Sequence, residues 1–524
     1  MPDGRRISVN PSTAGISEES QESHLKEGSQ LAHDARIRDM KVTRLLSGRP
    51  ARTLEFCSGC GGQSLGLKMA GFELAAHVEC DPDAVATHAL NFAPECLLLQ
   101  KIWSKPRDMV SCSLDSVVKD FDLKRSVAEA FDVLAAGLPC QAFARIGRSK
   151  LRSVTGDRQA FKNDPRAALY RRFLRIVERT RPLAIIIENV PDILNFGGHN
   201  IPEEISETLD ELGYVSRYTL LNAAFYGVPQ LRERLFLIAV DASFGVTPGF
   251  PEPTHILDLP PGYESARSVA LKHVRVGASH FTSIPEPIGD LVAAVSTEAA
   301  LSDLPFISEH LRDPAIIRRR KISDKLPYRH DCRPSSYAQL MRLWPGFEAE
   351  DEVDGNAIRL TPRDFPIFGR MPRGSDYPVA LTIARELLEE KLLSERHRPR
   401  PTSMKYAQLV EETVPPYDVS KFPNKWWKLD PDAPSRTLTA HLGKDTYSHI
   451  HYDGRQKRMI SVREAARLQS FPDGFKFAGA MNSSFRQIGN AVPPLLALAV
   501  SSKLMETLSE ALAAEQIQRR RRAA

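Results

Sequence analysis

A cysteine stands directly after a proline at position 140, within the segment Gly-Leu-Pro-Cys-Gln that covers 137–141. The mainly apolar segment 131–136 before it predicts a buried strand, and the proline stiffens the turn that follows. A thiol held just beyond a buried strand is accessible to substrate, and thiolate is a strong nucleophile near neutral pH. The segment alone also fits an ordinary loop with an unreactive cysteine, so the choice depends on the rest of the chain.

A glycine-rich turn lies near the start of the chain. Residues 53–56 predict a strand, 57–62 read Cys-Ser-Gly-Cys-Gly-Gly, and a helical pattern follows as far as Gly71. Glycines between a strand and a helix let a ligand approach the backbone at the helix N-terminus. A second predicted strand, 74–78, ends in Glu79, where an acid can bind a nucleoside ribose. The spacing predicts a nucleotide-like cofactor in a doubly wound sheet, although such a turn is often only a turn.

Seven cysteines are scattered along the chain, and two of them, Cys57 and Cys60, lie within the glycine-rich turn. Their spacing resembles half of a zinc site, but no second pair of ligands at zinc spacing lies nearby in the sequence, so we expect no metal. An odd number of scattered cysteines also favours a reducing cytoplasm over a disulfide-stabilised secreted protein.

The chain is long, of ordinary apolar content and only weakly basic. At 524 residues it is too long for one ordinary domain. Hydrophobic residues make up 42%, and no apolar run reaches the roughly 20 residues that span a membrane, so we expect no membrane partner. The net charge of +5 does not by itself indicate nucleic acid. The polar residues 1–50 predict a disordered arm rather than a signal peptide, and 513–524 predict a disordered basic tail.

A later segment continues the alternation of helix and strand. A helical pattern that starts at Asp164 places Leu169 on its apolar face, and the unbroken apolar run 183–187 predicts a buried strand. That strand delivers Glu188 to its C-terminal end, the edge where open α/β sheets place their sites. Two more strands are predicted at 217–221 and 235–240.

The polar motifs occur in a recognisable order along the chain. Behind the glycine-rich turn come Cys140 after Pro139, Glu188 before Asn189, and Gln230-x-Arg232-x-Arg234. Together they resemble the DNA (cytosine-5)-methyltransferases. Further segments resemble the ninth and tenth motif blocks of that family: 435–439, 463–472 and 487–494. The resemblance covers about 51–240 and 428–505, and several independent motifs in the family's order are a specific signal.

The resemblance implies an α/β fold, in which a doubly wound, Rossmann-like methyltransferase domain carries an inserted target-recognition domain. It makes Cys140 the nucleophile and places Glu188, Arg232 and Arg234 in the base pocket. The cofactor would be S-adenosylmethionine, bound by Phe56, Gly59, Gly61, Glu79, Leu169, Asn490 and Val492. The sequence departs from the family pattern in three places: Cys80 replaces a bulky residue next to adenine, no clear third block lies near 100–102, and Ala144 replaces a serine.

The family pattern also predicts how the chain is divided. The predicted parts are a catalytic and cofactor-binding domain at 51–243, a target-recognition domain at 244–484 that includes the ninth block, and a segment at 485–512 that completes the catalytic domain. Basic clusters at 318–321 and 396–400 suit contact with DNA phosphates, although such runs are more often solvated faces. The basic segment 142–163 after the nucleophile is expected to close on DNA.

The predicted enzyme methylates cytosine C5 in double-stranded DNA. We expect a cytoplasmic monomer in a restriction-modification or phage-defence system, with a cognate restriction endonuclease as a possible partner. Two alternatives stay open: an RNA cytosine-5 methyltransferase, which the large inserted region disfavours, and a catalytically silent DNA-binding regulator. The intact set of Cys140, Glu188 and Arg234 argues against the second alternative.

Overall fold

A computed structural model of the protein describes residues 18–94, 96–138, 168–196, 199–274 and 280–523. A six-stranded sheet forms the centre of the first lobe, in the order β2-β1-β3-β4-β6-β5. The strands are β1 (Arg52–Phe56), β2 (Glu73–Val78), β3 (Val133–Gly137), β4 (Ala184–Asn189), β5 (Tyr214–Asn222) and β6 (Glu233–Asp241). β1 to β4 run parallel, whereas β6 is antiparallel to both of its neighbours. Helices connect the parallel strands, as parallel pairing requires, and the predicted α/β fold is confirmed.

Apolar layers cover both faces of this sheet. On β3, Leu134 and Ala136 face one layer, while Val133 and Ala135 face the other, because strand side chains alternate. The helices of the first lobe are α1 (Glu18–Leu46), α2 (Gly62–Met69), α3 (Pro82–Phe92), α4 (Leu97–Trp103), α5 (Leu114–Asp120), α6 (Val127–Ala130), α7 (Ala168–Thr180) and α8 (Ile201–Glu211). α7 packs in the first layer, and α1 and α2 pack in the second.

The N-terminal segment is not a disordered arm where the structure describes it. Residues Glu18–Leu46 form α1, and Val42 is fully buried. Nζ of Lys41 donates to the carbonyl oxygens of Thr180 (2.7 Å) and Arg181 (2.8 Å) at the end of α7. A cation there satisfies carbonyls that lack a partner within the helix. The polar composition misleads because, among the described side chains of α1 (32–46), only Ile37, Lys41, Val42 and Leu45 are buried.

The second lobe is built from short elements. Its helices are α9 (Tyr263–Ala270), α10 (Thr297–Leu301), α11 (Pro314–Arg319), α12 (Ser336–Arg342), α13 (Phe365–Arg370), α14 (Tyr377–Ser394), α15 (Met404–Glu411), α16 (Val462–Leu468) and α17 (Met481–Asn490). Two strand pairs are present in the described residues: β7 (His255–Ile256) with β8 (Val292–Ala293), and β9 (Leu326–Pro327) with β10 (Glu352–Val353). Ser461 and Glu464 form a capping box at the start of α16. Buried Arg467 pairs with Asp303 and Asp473, so this block stiffens the lobe.

The C-terminal helix α18 (Pro494–Ala523) returns to the first lobe. Leu496 and Leu504 are fully buried in the second apolar layer. Arg519 pairs with Glu515 (3.1 Å) and with Asp39 of α1. The prediction of a disordered tail is therefore wrong as far as residue 523, because α1 supplies a surface for this helix to pack on.

Within the described residues, one helical stretch is long and apolar enough to cross a membrane by length and composition. This stretch is Met481–Ala523, and 61% of its most apolar window is buried inside the fold. The core helix of a folded domain passes the same test, so the stretch is weak evidence for a membrane span.

Candidate active site

Three strands of the central sheet end at one edge. The strand register pairs Phe56 of β1 with Ala136 of β3, and Gly137 of β3 with Glu188 of β4. A Cβ atom at Gly137 would lie 3.5 Å from the carbonyl oxygen of Cys57 and 4.0 Å from Oε2 of Glu188. The end of β3 therefore lies between the glycine-rich turn and the acid.

The chain just before the predicted nucleophile is fixed by β4. Nδ2 of Asn189 donates to the carbonyl oxygen of Leu138 (3.0 Å) and to the hydroxyl of Tyr170 (2.5 Å). Leu138 directly precedes residues 139–167, which contain Cys140 and the basic segment after it and lie outside the described residues. The roles of that cysteine and that segment stay predictions, and Asn189 sets where the segment begins.

Glu188 and Arg234 form a buried ion pair at this edge. Nε of Arg234 lies 3.1 Å from Oε1 of Glu188, and each side chain is 12% exposed. Burial raises the pKa of Glu188 above its ordinary value, although Arg234 and then Arg232 act in the opposite direction. A carboxyl group with a raised pKa can carry a proton to a ring nitrogen, and the arginine can bind a carbonyl oxygen. The structure thus brings together two of the predicted base-pocket residues.

Arg232 is buried behind the pocket. The side chain donates to the carbonyl oxygens of Leu438 (2.6 Å), Gly489 (3.2 Å) and Ala491 (3.1 Å). It is 1% exposed, so its side chain is not open to a base, although its charge still acts to lower the pKa of Glu188, and its predicted catalytic role stays a prediction. Because β6 begins only at Glu233, strand alternation does not require the two arginines to lie on the same side. Arg232 instead holds the ninth and tenth blocks against the catalytic lobe.

Glu79 closes the glycine-rich turn. Its Oε2 accepts the main-chain N–H of Gly59 (2.9 Å), and its Oε1 accepts those of Cys80 (2.7 Å) and Asp81 (2.8 Å). The carboxylate is half-buried and ionised oxygens have further lone pairs, so it can also accept hydroxyl groups. This is the behaviour expected of the predicted ribose-binding acid.

Two glycines let neighbouring segments approach this turn. Gly61 has a φ of 99°, and a Cβ atom there would lie 2.4 Å from the ring of Phe92. A Cβ atom at Gly62 would lie 2.2 Å from the carbonyl oxygen of Val492. The tenth block therefore packs directly on the start of α2, and the exposed Asn490 ends the preceding helix two residues before Val492.

The side chain of Phe56 packs in the core. It is 2% exposed, and its ring meets that of Phe173 edge-on at 6.2 Å. The assignment of Phe56 to the cofactor pocket stays a prediction. The next residue, Cys57, takes a left-handed φ of 52° and donates its N–H to the carbonyl oxygen of Val78 (2.7 Å), which leaves its side chain half-exposed at the turn. Leu169 lies in the same apolar layer as Phe56.

Sequence motifs missed one acid beside Glu79. The N–H of Arg107 donates to the carbonyl oxygen of Glu79 (2.7 Å), and the next residue, Asp108, is exposed and precedes the buried Met109. Burial is the main cause that raises the pKa of the Cys57 thiol, and Glu79 and Asp108 raise it further, so the two acids act on one place. The signal in the sequence is an acid followed by an apolar residue, which is too short to recognise without the sheet geometry.

The residues at this edge fit S-adenosylmethionine. Among the described residues, no atom lies within 4 Å of a Cβ position built at Gly59, so space is open beside Glu79. Two carboxylates, Glu79 and Asp108, can accept hydrogen bonds from hydroxyl and amino groups. The N-terminus of α2 adds main-chain donors without a side-chain cap.

Comparison with known proteins agrees with this geometry. A model of the C-5 cytosine-specific DNA methylase family matches residues 51–272 and 377–506. A type II methyltransferase of Oceanobacillus iheyensis, whose name marks the assignment as provisional, is 36% identical over 464 residues, 87% of this chain and 95% of the relative. The type II methyltransferase M.XorII of Xanthomonas oryzae is 30% identical over 464 residues, 87% of this chain and 84% of the relative.

A solved structure shares the fold. It is a DNA modification methyltransferase, again with a provisional name, encoded within an Escherichia coli prophage, and it matches with a TM-score of 0.54 at 21% identity over 88% of this chain and 99% of that chain. The fold and the paired motifs define a cytosine-5 methyltransferase. The chain belongs to the C-5 cytosine-specific DNA methylase family and is a DNA (cytosine-5)-methyltransferase.

Proposed function

We propose that the protein methylates C5 of a flipped cytosine in a specific duplex DNA sequence through a covalent bond from Cys140 to C6. The single observation that carries this proposal is the buried pair of Glu188 and Arg234, 3.1 Å apart beside the end of β3. The pair presents one proton donor and one cation at the point where the chain leads into Cys140. A cytosine ring has an acceptor nitrogen, N3, next to its O2 carbonyl, which matches this pair.

The proposed reaction balances in four steps. Thiolate of Cys140 adds to C6 while Glu188 gives a proton to N3, which moves electron density onto C5. C5 then attacks the methyl carbon of the sulfonium cofactor, and the sulfur leaves with the bonding electrons. A base removes the C5 proton, the electrons re-form the C5–C6 double bond, and the thiolate leaves. N3 then returns its proton to Glu188. Arg234 binds O2 throughout and, as a nearby cation, favours thiolate over thiol.

S-adenosylmethionine supplies the methyl group in this proposal. We infer that Glu79 binds its ribose and that Asp108 accepts a hydrogen bond from its adenine amino group. Gly59 leaves room at the turn and Gly61 lets Phe92 pack against it, and we infer that the tenth block, through Asn490 and Val492, covers the other side. The resemblance also assigns Leu169 to this pocket.

We infer that the middle of the chain reads the DNA. The family model matches on both sides of 273–376 but not within it, as expected for a segment that varies between enzymes of different sequence specificity. Base atoms are inaccessible inside a stacked duplex, so the cytosine must swing out, and the basic segment 142–163 would close over it. A large recognition lobe favours duplex DNA over RNA, and the intact acid–arginine pair disfavours a silent regulator.

The type II names of the relatives support a restriction-modification role. We propose that the enzyme acts as a cytoplasmic monomer that protects host DNA from a cognate restriction endonuclease. Sequencing of methylated cytosines in a host that expresses the protein would identify the site. Co-expression with the cognate restriction endonuclease would test the protective role. We expect the methylated DNA to stay intact, and cleavage at the methylated site would contradict the role.

A mechanism-based trap tests the covalent step. Duplex DNA with 5-fluorocytosine at the identified site is incubated with the protein and S-adenosylmethionine. The methyl group still transfers, but fluorine cannot leave C5 as a proton does, so the thiol stays bonded to the base. We expect a complex that survives denaturing electrophoresis and needs the cofactor for full yield.

Matched variants separate the alternatives. Cys140→Ala should abolish the adduct while DNA binding persists, and Glu188→Gln should reduce its rate of formation. Absence of an adduct on a duplex that wild-type protein methylates would refute the C5 mechanism. Adduct formation on RNA alone would assign the chain to RNA methylation, and binding without any methylation would assign it to the regulators.

A further inference from the structure

We propose that Arg436, stacked on Trp427, contacts DNA and donates hydrogen bonds to a pair of acceptor atoms, oxygens or nitrogens, of the substrate duplex. The proposal rests on the proposed action on duplex DNA and adds a contact that the catalytic motifs do not include. The guanidinium carbon of Arg436 lies 4.8 Å from the ring centroid of Trp427.

Arg436 lies next to the segment that leads into the base pocket. The N–H of Leu231 donates to the carbonyl oxygen of Ser435 (2.8 Å), and the N–H of Ser435 donates to that of Pro229 (3.0 Å). Oγ1 of Thr437 donates to the carbonyl oxygen of Leu231 (2.5 Å). Segments paired in this way are about 5 Å apart, and Arg234 lies three residues beyond Leu231.

The side chain of Arg436 points away from that segment. Ser435 and Thr437 on either side both direct their hydroxyl groups at the carbonyl oxygens of 229 and 231. Because side chains of an extended segment alternate, Arg436 faces the opposite side, where Trp427 lies. The pair therefore stands at the junction between the catalytic lobe and the second lobe.

Hydrogen bonds hold the main chain of both members of the pair. The main-chain N–H of Trp427 donates to the carbonyl oxygen of Tyr447 (2.9 Å), and its main-chain carbonyl oxygen accepts from the N–H of Ile450 (2.9 Å). Nε2 of His449 lies 3.1 Å from the carbonyl oxygen of Arg436. A guanidinium that lies on a fixed indole presents its N–H groups in a fixed plane, which suits an acceptor pair.

The guanidinium of Arg436 has no hydrogen-bond acceptor among the described residues, unlike two other arginines of the second lobe. Arg458 and Arg467 each form ion pairs with acids at 3.0 Å or less. Within the described part of the chain, the Arg436 guanidinium donates no hydrogen bond and has no ion pair. Burial lowers the pKa of Arg436, and Asp376 offsets this only in part. A half-buried cation that has lost water without gaining an acceptor is prepared to bind an anion or a polar edge.

Two parts of a duplex present such a pair of acceptors: a backbone phosphate, and the O6 and N7 atoms of guanine in the major groove. The test compares Arg436→Ala with Arg370→Ala, a control that removes an exposed arginine paired with Glu390 at 2.6 Å. DNA affinity of the full-length protein is measured from low to moderate salt on the cognate duplex. The same measurement is made on duplexes with each base pair changed in turn.

If Arg436 contacts a phosphate, Arg436→Ala should weaken binding to all duplexes alike and should lower the magnitude of the slope of log affinity against log salt by about 0.9. Arg436→Lys should retain the wild-type slope. A guanine contact predicts a roughly 5- to 150-fold loss on the cognate duplex only, with lost preference at one base pair and no rescue by lysine. Trp427→Leu should give part of either effect, because it removes the platform and not the charge.

Two results would overturn the proposal. One is that Arg436→Ala matches Arg370→Ala in affinity, salt slope and turnover. The other is that Arg436→Ala lowers the thermal midpoint of unfolding, or lowers the affinity for S-adenosylmethionine by the same factor as the affinity for DNA. Either outcome would make the pair a packing feature. Failure of the wild-type protein to bind or methylate duplex DNA would instead refute the proposed function, so the two failures are distinguishable.

Discussion

Replacing Arg232 by methionine should destabilise the protein, whereas the same change at Arg234 should leave it folded and inactive. Arg232 donates three hydrogen bonds, of 2.6, 3.2 and 3.1 Å, to main-chain carbonyl oxygens of the ninth and tenth blocks. A buried hydrogen bond from a charged donor contributes about 1.5 kcal/mol or more, so we expect a loss of about 4–5 kcal/mol for Arg232→Met. Methionine has a similar length, which keeps the cavity contribution small.

The assay is urea unfolding monitored by tryptophan fluorescence. Methyl transfer to duplex DNA is measured on the same protein preparations. Arg234→Met should lose less stability than Arg232→Met, because Glu188, whose pKa burial already raises, can take up a proton once its cation is gone instead of staying an unpaired buried charge. Its turnover should fall strongly, because O2 of the base loses its cation. Wild-type stability of Arg232→Met together with lost turnover would show that Arg232 faces the base, contrary to the structure.

Three further changes test other parts of the fold. Glu79→Ala should weaken S-adenosylmethionine binding by calorimetry while DNA affinity stays unchanged, because the carboxylate lies on the glycine-rich turn; unchanged cofactor affinity would contradict this. Gly62→Ala should lower both cofactor affinity and the free energy of unfolding, the latter by about 1–3 kcal/mol, because its Cβ would stand 2.2 Å from the Val492 carbonyl oxygen. Burial alone would lower the pKa of His280, but two carboxylates at 2.7 Å outweigh it and raise the pKa above 6.5. The contribution of charged His280 to the free energy of unfolding is therefore full below about pH 6.5 and is lost as the pH rises through the raised pKa. The difference in free energy of unfolding between wild type and His280→Gln, measured by urea titration, should shrink over that range.

The strands of the catalytic lobe were predictable because they are buried on both faces. The unbroken apolar run 183–187 needs no partner to identify it as a strand, and the structure places β4 there. Glu188 and Glu79 were predictable for the same reason, since Glu188 lies at the C-terminal end of β4 and Glu79 directly follows β2, both at the ligand-binding edge. Local sequence fixed these positions because burial and chain direction together leave few alternatives.

Contacts between distant segments could not be predicted in this way. Arg232 has the same local sequence whether it faces a base or the carbonyl oxygens of Leu438 and Ala491, which lie more than 200 residues away. α1 has a polar composition, and only its packing on α7 and α18 makes it a helix of the core. Asp108 gains its position from a hydrogen bond of its neighbour to Glu79, which no motif encodes.

The close contact between Gly62 and Val492 has a consequence for synthesis of the protein. The turn that begins the cofactor pocket is made early in translation, but the carbonyl group that covers it belongs to a segment made some 430 residues later. A ribosome must therefore produce the whole recognition lobe before the first lobe can close. A nascent or truncated chain that ends before residue 492 would lack part of the pocket, so no catalytically competent fragment free of its sequence reader should arise during translation. We therefore expect chains that end before residue 492 to show no methyltransferase activity on any DNA.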